Sequence, residues 1–260
     1  MRRDRSTVRV SWLALAAGFC LAVLGAAARS ADEPPKGLVL HYRFDQSEAD
    51  GRVTDLGPAH HHGQATSAKW TAEGKKGGGL EFAAPDAVLK VPHDAALDQK
   101  QATLAVWFKT PAPDTNWRIL FDTAAGRGFR LAIGGETKDL PVRGRLAFAV
   151  QDSPPCLSDS TIADGLWHSA VATFDGESLR LYVDVLPQKQ VVSFHGAIRP
   201  SEADLTIGRG RPTPSASDMS PAFRGSLDEV MIFNRALSAD EVKAMVVAVD
   251  PTITRPKATR

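Results

Sequence analysis

Short apolar runs, separated by glycine, proline, aspartate and asparagine, follow one another along most of the chain. In the first run, apolar residues occupy every second position, with His41 and Arg43 between them. Successive side chains of a strand point to opposite faces, so this alternation predicts a strand with one buried and one solvated face. The predicted buried face carries Leu38, Leu40, Tyr42 and Phe44.

Similar apolar runs recur at regular intervals along the chain, and no helical pattern lies between them. They predict strands at residues 79–82, 87–91, 103–109, 118–122, 128–133, 144–150, 167–174, 179–183, 191–195, 204–207 and 223–233. About a dozen short strands without interleaved helices predict an all-β fold, an antiparallel sandwich of two sheets.

The clearest local signal is a hairpin. Within residues 173–184, two alternating runs flank Asp175-Gly176. Aspartate followed by glycine can adopt the positive φ angles that a tight hairpin turn requires. We therefore expect these two runs to pair with each other.

Only one stretch, close to the C-terminus, has the pattern of a helix. Ser238 is a suitable N-cap, and Glu241, three residues later, completes a capping box. Val242, Met245 and Val246 then recur at helical spacing on one side. The sequence therefore predicts one short C-terminal helix with a single apolar face.

The two ends of the chain differ from its body. Residues 1–10 are basic, residues 11–24 are apolar, and three alanines at 26–28 suit a signal peptidase. This order predicts a signal peptide at 1–28, with an uncleaved signal anchor as the alternative. A polar linker at 29–36, a globular domain at 37–247 and a flexible basic tail at 248–260 complete the predicted organisation.

The composition is that of a globular protein. The 260 residues are 43% hydrophobic and 23% charged, which excludes a disordered chain or a multi-span membrane protein. The net charge of +1 becomes −2 when the predicted signal peptide, with four arginines and one aspartate, is removed. Nucleic-acid binding needs a strong basic surplus, so nucleic acid is not an expected partner.

Cysteine usage is minimal. Signal cleavage would remove Cys20 and leave Cys156 as the only thiol. The mature protein then forms no internal disulfide, although export predicts an oxidising environment. A chain of this length can bury enough apolar surface to be stable without one.

Several segments share an order and a spacing that no single motif would establish. They are Leu-His-Tyr-Arg-Phe-Asp at 40–45, Asp-Leu-Gly at 55–57 with His-Gly at 62–63, Gly-Lys-Lys-Gly-Gly-Gly-Leu-Glu-Phe at 74–82, Ala-Val-Trp-Phe-Lys at 105–109, Asp-Gly-Leu-Trp-His at 164–168, and the run from Phe223 to Ser238. Together they resemble the laminin G-like jelly-roll domains of the concanavalin A-like lectin and glucanase superfamily. The resemblance implies two curved antiparallel sheets packed face to face, with the first and last strands adjacent.

One departure from this pattern concerns the second hairpin strand. Such domains usually end it with Asp-Gly, whereas this chain has Asp184-Val185. Valine does not readily adopt a positive φ angle, so we expect the following turn to have a different geometry.

Enzymes share this fold, and their catalytic motifs were therefore sought. Laminarinase-type glucanases place two carboxylates on one face of a strand as Glu-x-Asp-x-Glu, and no glutamate here is followed by acids at that spacing. Asp228 and Glu229 are adjacent, so on a strand they would point to opposite faces. A nucleophile elbow, a zinc-binding helix motif and a phosphate-binding loop are also absent from the sequence.

The resemblance implies a structural calcium ion where the first and last strands meet. The matching positions are Asp45 or its neighbour, Gly63 or its neighbour, and Asp228. Calcium binds several carboxylate and carbonyl oxygens in flexible geometry, which suits such a set. The alternative is that Asp228 only accepts backbone hydrogen bonds at a strand bend.

Histidine and cysteine side chains are interpreted as structural. Three consecutive residues cannot all point at one ion, so the triplet at 60–62 predicts a solvated loop. His168 is expected in the core, bonded to a backbone carbonyl. Cys156, which follows Pro154-Pro155, is expected on a loop as an inert thiol.

Sugar binding needs an exposed aromatic face with polar groups beside it. Trp117, beside Arg118 and after a proline-containing loop, is the predicted platform, with packing beneath that loop as the alternative. Arg209 and Arg211 lie in a long Pro/Ser-rich loop that could rim a site.

These observations favour a secreted, periplasmic or cell-surface recognition module without catalytic activity. Its expected partner is a polysaccharide, a glycoprotein or another glycoconjugate, and its expected cofactor is one calcium ion. Two alternatives stay open: a glycoside hydrolase or polysaccharide lyase on the same fold, and a structural protein that contacts other cell-surface proteins.

Overall fold

A computed structural model of the chain describes residues 34–124, 127–138, 141–210 and 222–254. The predicted signal peptide at 1–28, most of the linker and Arg211 lie outside these residues. The strands are β1 Leu38–Tyr42, β2 Arg52–Val53, β3 Gly63–Thr66, β4 Lys69–Thr71, β5 Gly79–Phe82, β6 Val88–Val91, β7 Ala102–Lys109, β8 Arg118–Ala124, β9 Arg127–Ile133, β10 Arg145–Val150, β11 Cys156–Thr161, β12 Trp167–Phe174, β13 Ser178–Val183, β14 Leu186–Pro187, β15 Val192–Ser193, β16 Leu205–Ile207 and β17 Gly225–Phe233. Short 3-10 turns occur at Ala49–Gly51, Ala95–Leu97 and Pro251–Thr254, and the α-helix, α1, is Ala239–Val249.

The strands form two antiparallel sheets, which confirms the predicted sandwich and is consistent with a jelly roll. The nine-stranded sheet has the order β14-β13-β12-β7-β17-β5-β4, with β1 beside β17 and β15 beside β13. The eight-stranded sheet has the order β11-β10-β9-β8-β16-β6-β3-β2. The first and last strands are neighbours, since Tyr42 pairs with Val230 and His41 with Met231.

The main core fills the space between the two sheets. It combines side chains of the nine-stranded sheet with those of the eight-stranded sheet, such as Phe108 and Phe121. Burying one such side chain contributes about 1.5–3 kcal/mol to stability. The largest fully buried side chains are Tyr42, Phe82, Phe108, Phe121, Phe148, Phe174, Phe223 and Phe233.

Helix α1 covers the outer face of the nine-stranded sheet. Ser238 and Glu241 form the predicted capping box, and Val242 and Val246 are buried against that sheet. The helix continues to Val249, and the 3-10 turn after it buries Ile253 in the same cluster. Residues 248–253, which fall within the predicted tail, thus include the last residues of α1 and the buried side chain of Ile253, and residues 255–260 lie outside the described part of the chain. None of the helices in the described residues is long and apolar enough to cross a membrane.

A register shift corrects the predicted face of β1. Leu38 pairs with Phe233 and Leu40 with Ile232, so the strand pairing is irregular between them. Leu38 consequently packs in the cluster beneath α1, whereas Leu40 packs between the sheets. Strict alternation could not reveal this, because a bulge reverses the faces of the residues before it.

Strand β11 was missed because half of it is polar. It lies at an edge of the eight-stranded sheet, and Cys156 is buried at its start and not on a loop as predicted. Two glutamine side chains satisfy the outer edge of this strand: Gln190 Oε1 accepts from Leu157 N, and Gln188 Oε1 accepts from Asp159 N, both at 2.8 Å. Burial raises the pKa of Cys156 to about 11, which agrees with an inert thiol.

The turns before and after β13 compare differently with the sequence predictions. The hairpin of β12 and β13 is present as predicted, with Phe174 paired to Leu179 and Gly176 at a φ of 97°. The next turn, between β13 and β14, has Asp184 at 48° and Val185 at 68°. Val185 therefore adopts the positive φ angle that glycine would have at this position. The expectation that the valine changes the geometry of the turn is wrong.

Candidate functional site

A cleft of about 650 Å³ opens at one edge of the sandwich. It lies between β4, the edge strand of the nine-stranded sheet, and β2, the edge strand of the eight-stranded sheet. Val53, Ala65 and Leu80 bring the apolar core to its floor, and charged side chains line its rim. Ligand sites are commonly concave and of this size, and here the floor is apolar and the rim is polar.

Trp70 is the exposed aromatic side chain of this cleft, whereas Phe44, which also lines it, is buried. It lies on β4 opposite Leu80, whose side chain is in the core, so Trp70 faces the same inward side of the strand. Because β4 has no neighbouring strand on its outer side, 40% of Trp70 stays exposed. The indole Nε1 donates a hydrogen bond to the carbonyl oxygen of Phe44 at 2.8 Å. The indole is therefore fixed and offers its ring, not its N–H group, to the cleft.

The segment between β1 and β2 forms another wall of the cleft. Glu48 fixes this segment by accepting from both N and Oγ1 of Thr54, at 2.8 and 2.7 Å. Phe44 and Asp50 have positive φ angles of 50° and 57°, which turn the chain around the cleft. Such conformations persist in non-glycine residues only where the surrounding contacts hold them.

Charged pairs line the rim of the cleft. Arg43 Nη2 lies 2.8 Å from Asp45 Oδ2, and both side chains are more than a third exposed. Arg52 Nε lies 4.0 Å from Glu48 Oε2, without hydrogen-bond geometry, and Lys69 lines the opposite side. The cleft thus presents planar carboxylates and guanidinium groups beside one aromatic ring.

The structure brings together two of the three predicted calcium ligands. Asp45 and Asp228 both lie against the turn at residues 74–78, whereas Gly63 is on the eight-stranded sheet against Leu89 and Tyr42. In the part of the chain that the structure describes, no three His, Cys, Asp or Glu side chains converge as a metal-binding group. The residues therefore fit a calcium ion only in part, and calcium binding stays a prediction.

Asp228 is fully buried and already has backbone partners. Its oxygens accept from Lys76 N at 2.8 Å and from Glu229 N at 2.7 Å. Burial raises the pKa of Asp228 to about 7, although these N–H groups oppose the shift. Glu229, at a φ of 47°, turns away from it and lies 2.6 Å from His41 Nε2. These contacts match the alternative interpretation, an aspartate that accepts backbone hydrogen bonds at a strand bend.

The predicted sugar-binding residues lie elsewhere and are largely engaged. Trp117 is half-buried against Val142, Ala147 and Leu157 on the outer face of the eight-stranded sheet. Arg118 is only 3% exposed, and its guanidinium donates to the loop after β7, at Thr110, Pro111 and Ala112. The structure therefore places Arg118 inside the domain, with Nη1 and Nη2 engaged by this loop. Arg209 is half-buried and donates to the Pro85 carbonyl at 2.6 Å.

The histidine triplet is a solvated loop only in part. His60 is exposed, but His61 and His62 are half-buried, which corrects the prediction for those two. Buried Asp55 organises the loop: its carboxylate accepts from His61 N and from His41 N, each at 2.7 Å. His62 Nδ1 in turn accepts a hydrogen bond from the backbone N–H of Asp55 at 3.1 Å.

His168 is buried as predicted but has different partners from those expected. Its Nδ1 lies 2.6 Å from Asp184 Oδ2 and its Nε2 lies 3.1 Å from Asp164 Oδ1. Burial alone would lower the pKa of His168, but hydrogen bonds and charges of the two aspartates outweigh it and raise the pKa. The imidazole therefore bridges two carboxylates, not a backbone carbonyl.

Comparison with known proteins identifies the family. The model described as the concanavalin A-like lectin/glucanases superfamily, Laminin_G_3, matches residues 83–243 of the chain. The chain belongs to this superfamily. The remaining early elements, including β1 and the cleft, lie before the matched residues, and the pairing of β1 with β17 joins them to the domain. No curated protein matches the chain significantly.

Solved structures show the same fold at low sequence identity. Domain 4 of AbnA, a GH43 extracellular arabinanase from Geobacillus stearothermophilus in complex with arabinotriose, has a TM-score of 0.59 and 19% identity, covering 80% of this chain and 98% of that one. The Trypanosoma rangeli sialidase in complex with sialic acid has a TM-score of 0.61 and 14% identity over 86% of this chain, which spans only 34% of the sialidase. The receptor binding domain of botulinum neurotoxin type G has a TM-score of 0.58 and 14% identity, with coverages of 82% and 51%. These similarities establish the fold alone.

The cleft was not predicted from the sequence. Trp70 lies in a short polar stretch, Lys-Trp-Thr, with no alternation to mark a strand. The sequence shows only that Trp70 lies between the histidine triplet at 60–62 and the glycine-rich residues 74–79. The pairing of β4 with β5 is what places Trp70 at an open edge of the sheet.

Proposed function

We propose that this protein is an exported carbohydrate-binding module and that the cleft beside Trp70 holds a polysaccharide or glycoconjugate. The observation that carries the proposal is a half-exposed indole, fixed in place at an apolar-floored cleft with charged side chains on its rim. Export follows from the predicted signal peptide at 1–28, with the cell surface or periplasm as destination.

The chemistry of the cleft suits a sugar. The apolar face of a sugar ring packs on an aromatic ring, while its hydroxyl groups hydrogen-bond to planar polar side chains. Trp70 supplies the ring, and Arg43, Asp45 and Glu48 supply the polar groups. Since the indole N–H already binds the Phe44 carbonyl, contact at Trp70 is stacking and not hydrogen bonding.

The comparisons support the same class of ligand. Domain 4 of the arabinanase was solved with arabinotriose, and this chain covers 98% of that domain. At 19% identity this likeness does not identify the sugar, so the ligand is proposed only as a carbohydrate.

A glycan array with the mature protein tests the proposal. We expect binding to at least one carbohydrate class, and Trp70→Ala should weaken it by at least about tenfold, because aromatic side chains carry much of the affinity in such sites. Trp70→Phe should retain most of the binding, since the ring contributes by stacking. Trp117→Ala is the matched control and should bind like the wild type.

Two outcomes would contradict the proposal. A silent array, together with no depolymerisation of polysaccharides, would favour the structural alternative. If Trp70→Ala and the wild type bind equally, the binding site lies outside the cleft.

Hydrolysis on the same fold is the second candidate. Asp45 and Glu48 are two carboxylates on one cleft, as a glycosidase pair would be. Each is engaged, however: Asp45 with Arg43 at 2.8 Å, and Glu48 with Thr54. If the wild type releases reducing ends from a polysaccharide and Glu48→Gln does not, the protein is a hydrolase instead.

A further inference from the structure

The glycine turn, residues 74–78, connects β4 to β5 and lies directly behind the cleft. Its backbone closes on itself through a hydrogen bond from Gly74 N to Gly77 O at 3.1 Å. Gly77 has a φ of 75°, a conformation that favours glycine.

The two glycines nearest the cleft leave no room for a side chain. A Cβ atom at position 78 would lie 2.5 Å from Trp70 Nε1 and closer still to the Phe44 carbonyl oxygen. These are the donor and the acceptor of the hydrogen bond that fixes the indole. A Cβ atom at position 77 would lie 2.5 Å from Asp45 Oδ1 on the cleft rim.

The far side of the turn is anchored to rigid parts of the domain. Lys76 N donates to buried Asp228 at 2.8 Å, and Lys76 Nζ lies 3.3 Å from the Ala248 carbonyl at the end of α1. Lys75 Nζ is 2.5 Å from Asp250 Oδ2 and 4.6 Å from the centre of the Trp107 ring. A turn held by a buried strand and by a helix end cannot move aside to accommodate a new side chain.

We infer that the glycine turn positions the ligand-binding face of the cleft, and that Gly78 is the positioning residue for Trp70. The inference rests on the proposed carbohydrate site but concerns a residue that touches no ligand. Gly78 has no left-handed φ, so an alanine there is excluded by space alone, not by backbone strain. Because the turn itself is anchored, the indole or the Phe44 carbonyl must shift, and either shift breaks the hydrogen bond between them.

The experiment compares Gly78→Ala with the wild-type mature protein by ¹H–¹⁵N spectroscopy of the indole N–H groups. The Trp70 signal is assigned by its loss in Trp70→Phe. In Gly78→Ala it should shift and exchange with solvent about fivefold faster, since the bond to the Phe44 carbonyl is broken. The Trp107 and Trp167 signals should stay in place. Gly165→Ala is the control, because it introduces strain at a φ of 83° with no atom within 4 Å of the new Cβ.

The same variants are then applied to the glycan array. Binding by Gly78→Ala should weaken at least about tenfold, as for Trp70→Ala, whereas Gly165→Ala should bind like the wild type. An unchanged Trp70 signal in a folded Gly78→Ala protein overturns the inference. If wild type is silent on the array, the proposed function fails, and the indole signal still decides whether the turn positions Trp70.

Discussion

His168 and Asp184 are joined by a 2.6 Å hydrogen bond that links the middle of the nine-stranded sheet to the turn after β13. The other ring nitrogen of His168 is 3.1 Å from Asp164, in the turn that precedes β12. One buried imidazole therefore holds two turns together at the same end of the sheet. Because both partners are carboxylates, the strength of this link depends on the charge of the ring.

The first prediction concerns pH. The pKa of His168 is raised in the folded protein, so the stability that its protonation contributes is fully present below the ordinary pKa of about 6.5 and is lost as pH rises through the folded value. His168→Gln should therefore lower the free energy of unfolding more at pH 5.5 than at pH 8.5. Urea unfolding of wild type and variant at both pH values measures this. Exposed His195→Gln is the control, and an equal loss for His168→Gln at both pH values would contradict the prediction.

The second prediction concerns Val185, a β-branched residue at a φ of 68°. Left-handed conformations cost non-glycine residues about 1–3 kcal/mol, and β-branched residues are rare there. Val185→Gly should be more stable than Val185→Ala by about 1 kcal/mol, because both remove the two methyl groups of valine but only glycine adopts the left-handed conformation without strain. Thermal unfolding of the pair decides it. Equal melting temperatures would show that the turn is unstrained.

The third prediction tests the helix cap. The Ser238 side chain accepts from Glu241 N, and Glu241 binds back to Ser238 N at 2.9 Å. Ser238→Ala should lower the free energy of unfolding by about 1 kcal/mol, because it leaves a backbone donor unpaired. Ser238→Asp keeps an acceptor and should stay close to wild type. If Ser238→Ala leaves the free energy of unfolding unchanged, the packing of Val242 and Val246 alone stabilises the helix.

The fourth prediction concerns calcium. If an ion bridges Asp45 and Asp228, EDTA should lower the melting temperature of the wild type, and added calcium should restore it. Asp45→Asn should remove this response, while Asp122→Asn, an aspartate paired with Arg130, should keep it. If the melting temperature of the wild type does not respond to EDTA, Asp228 only accepts backbone hydrogen bonds. Asp228→Ala should then still lower the stability of the protein, because it leaves buried N–H groups unpaired.

Much of the fold could be predicted from local pattern. Apolar runs located the central strands, such as β7 and β12, because almost every residue of these strands is buried, on one face between the sheets and on the other beneath α1. The capping box located α1, since Ser238 and Glu241 act within one turn. Strands such as β4 and β11 were missed, because an edge strand has fewer buried neighbours and its composition is closer to that of a loop.

The candidate site shows the limit of the sequence. By itself the sequence determined the sandwich, the helix, the family resemblance and the lack of known catalytic motifs, since these depend on periodicity and short spacings. Only the tertiary structure decided that Arg118 is structural and that Trp70 lies at a cleft. Exposure depends on which strand lies alongside, and β4 is left at an edge because its neighbour β5 pairs on the other side with β17, which is far away in the chain.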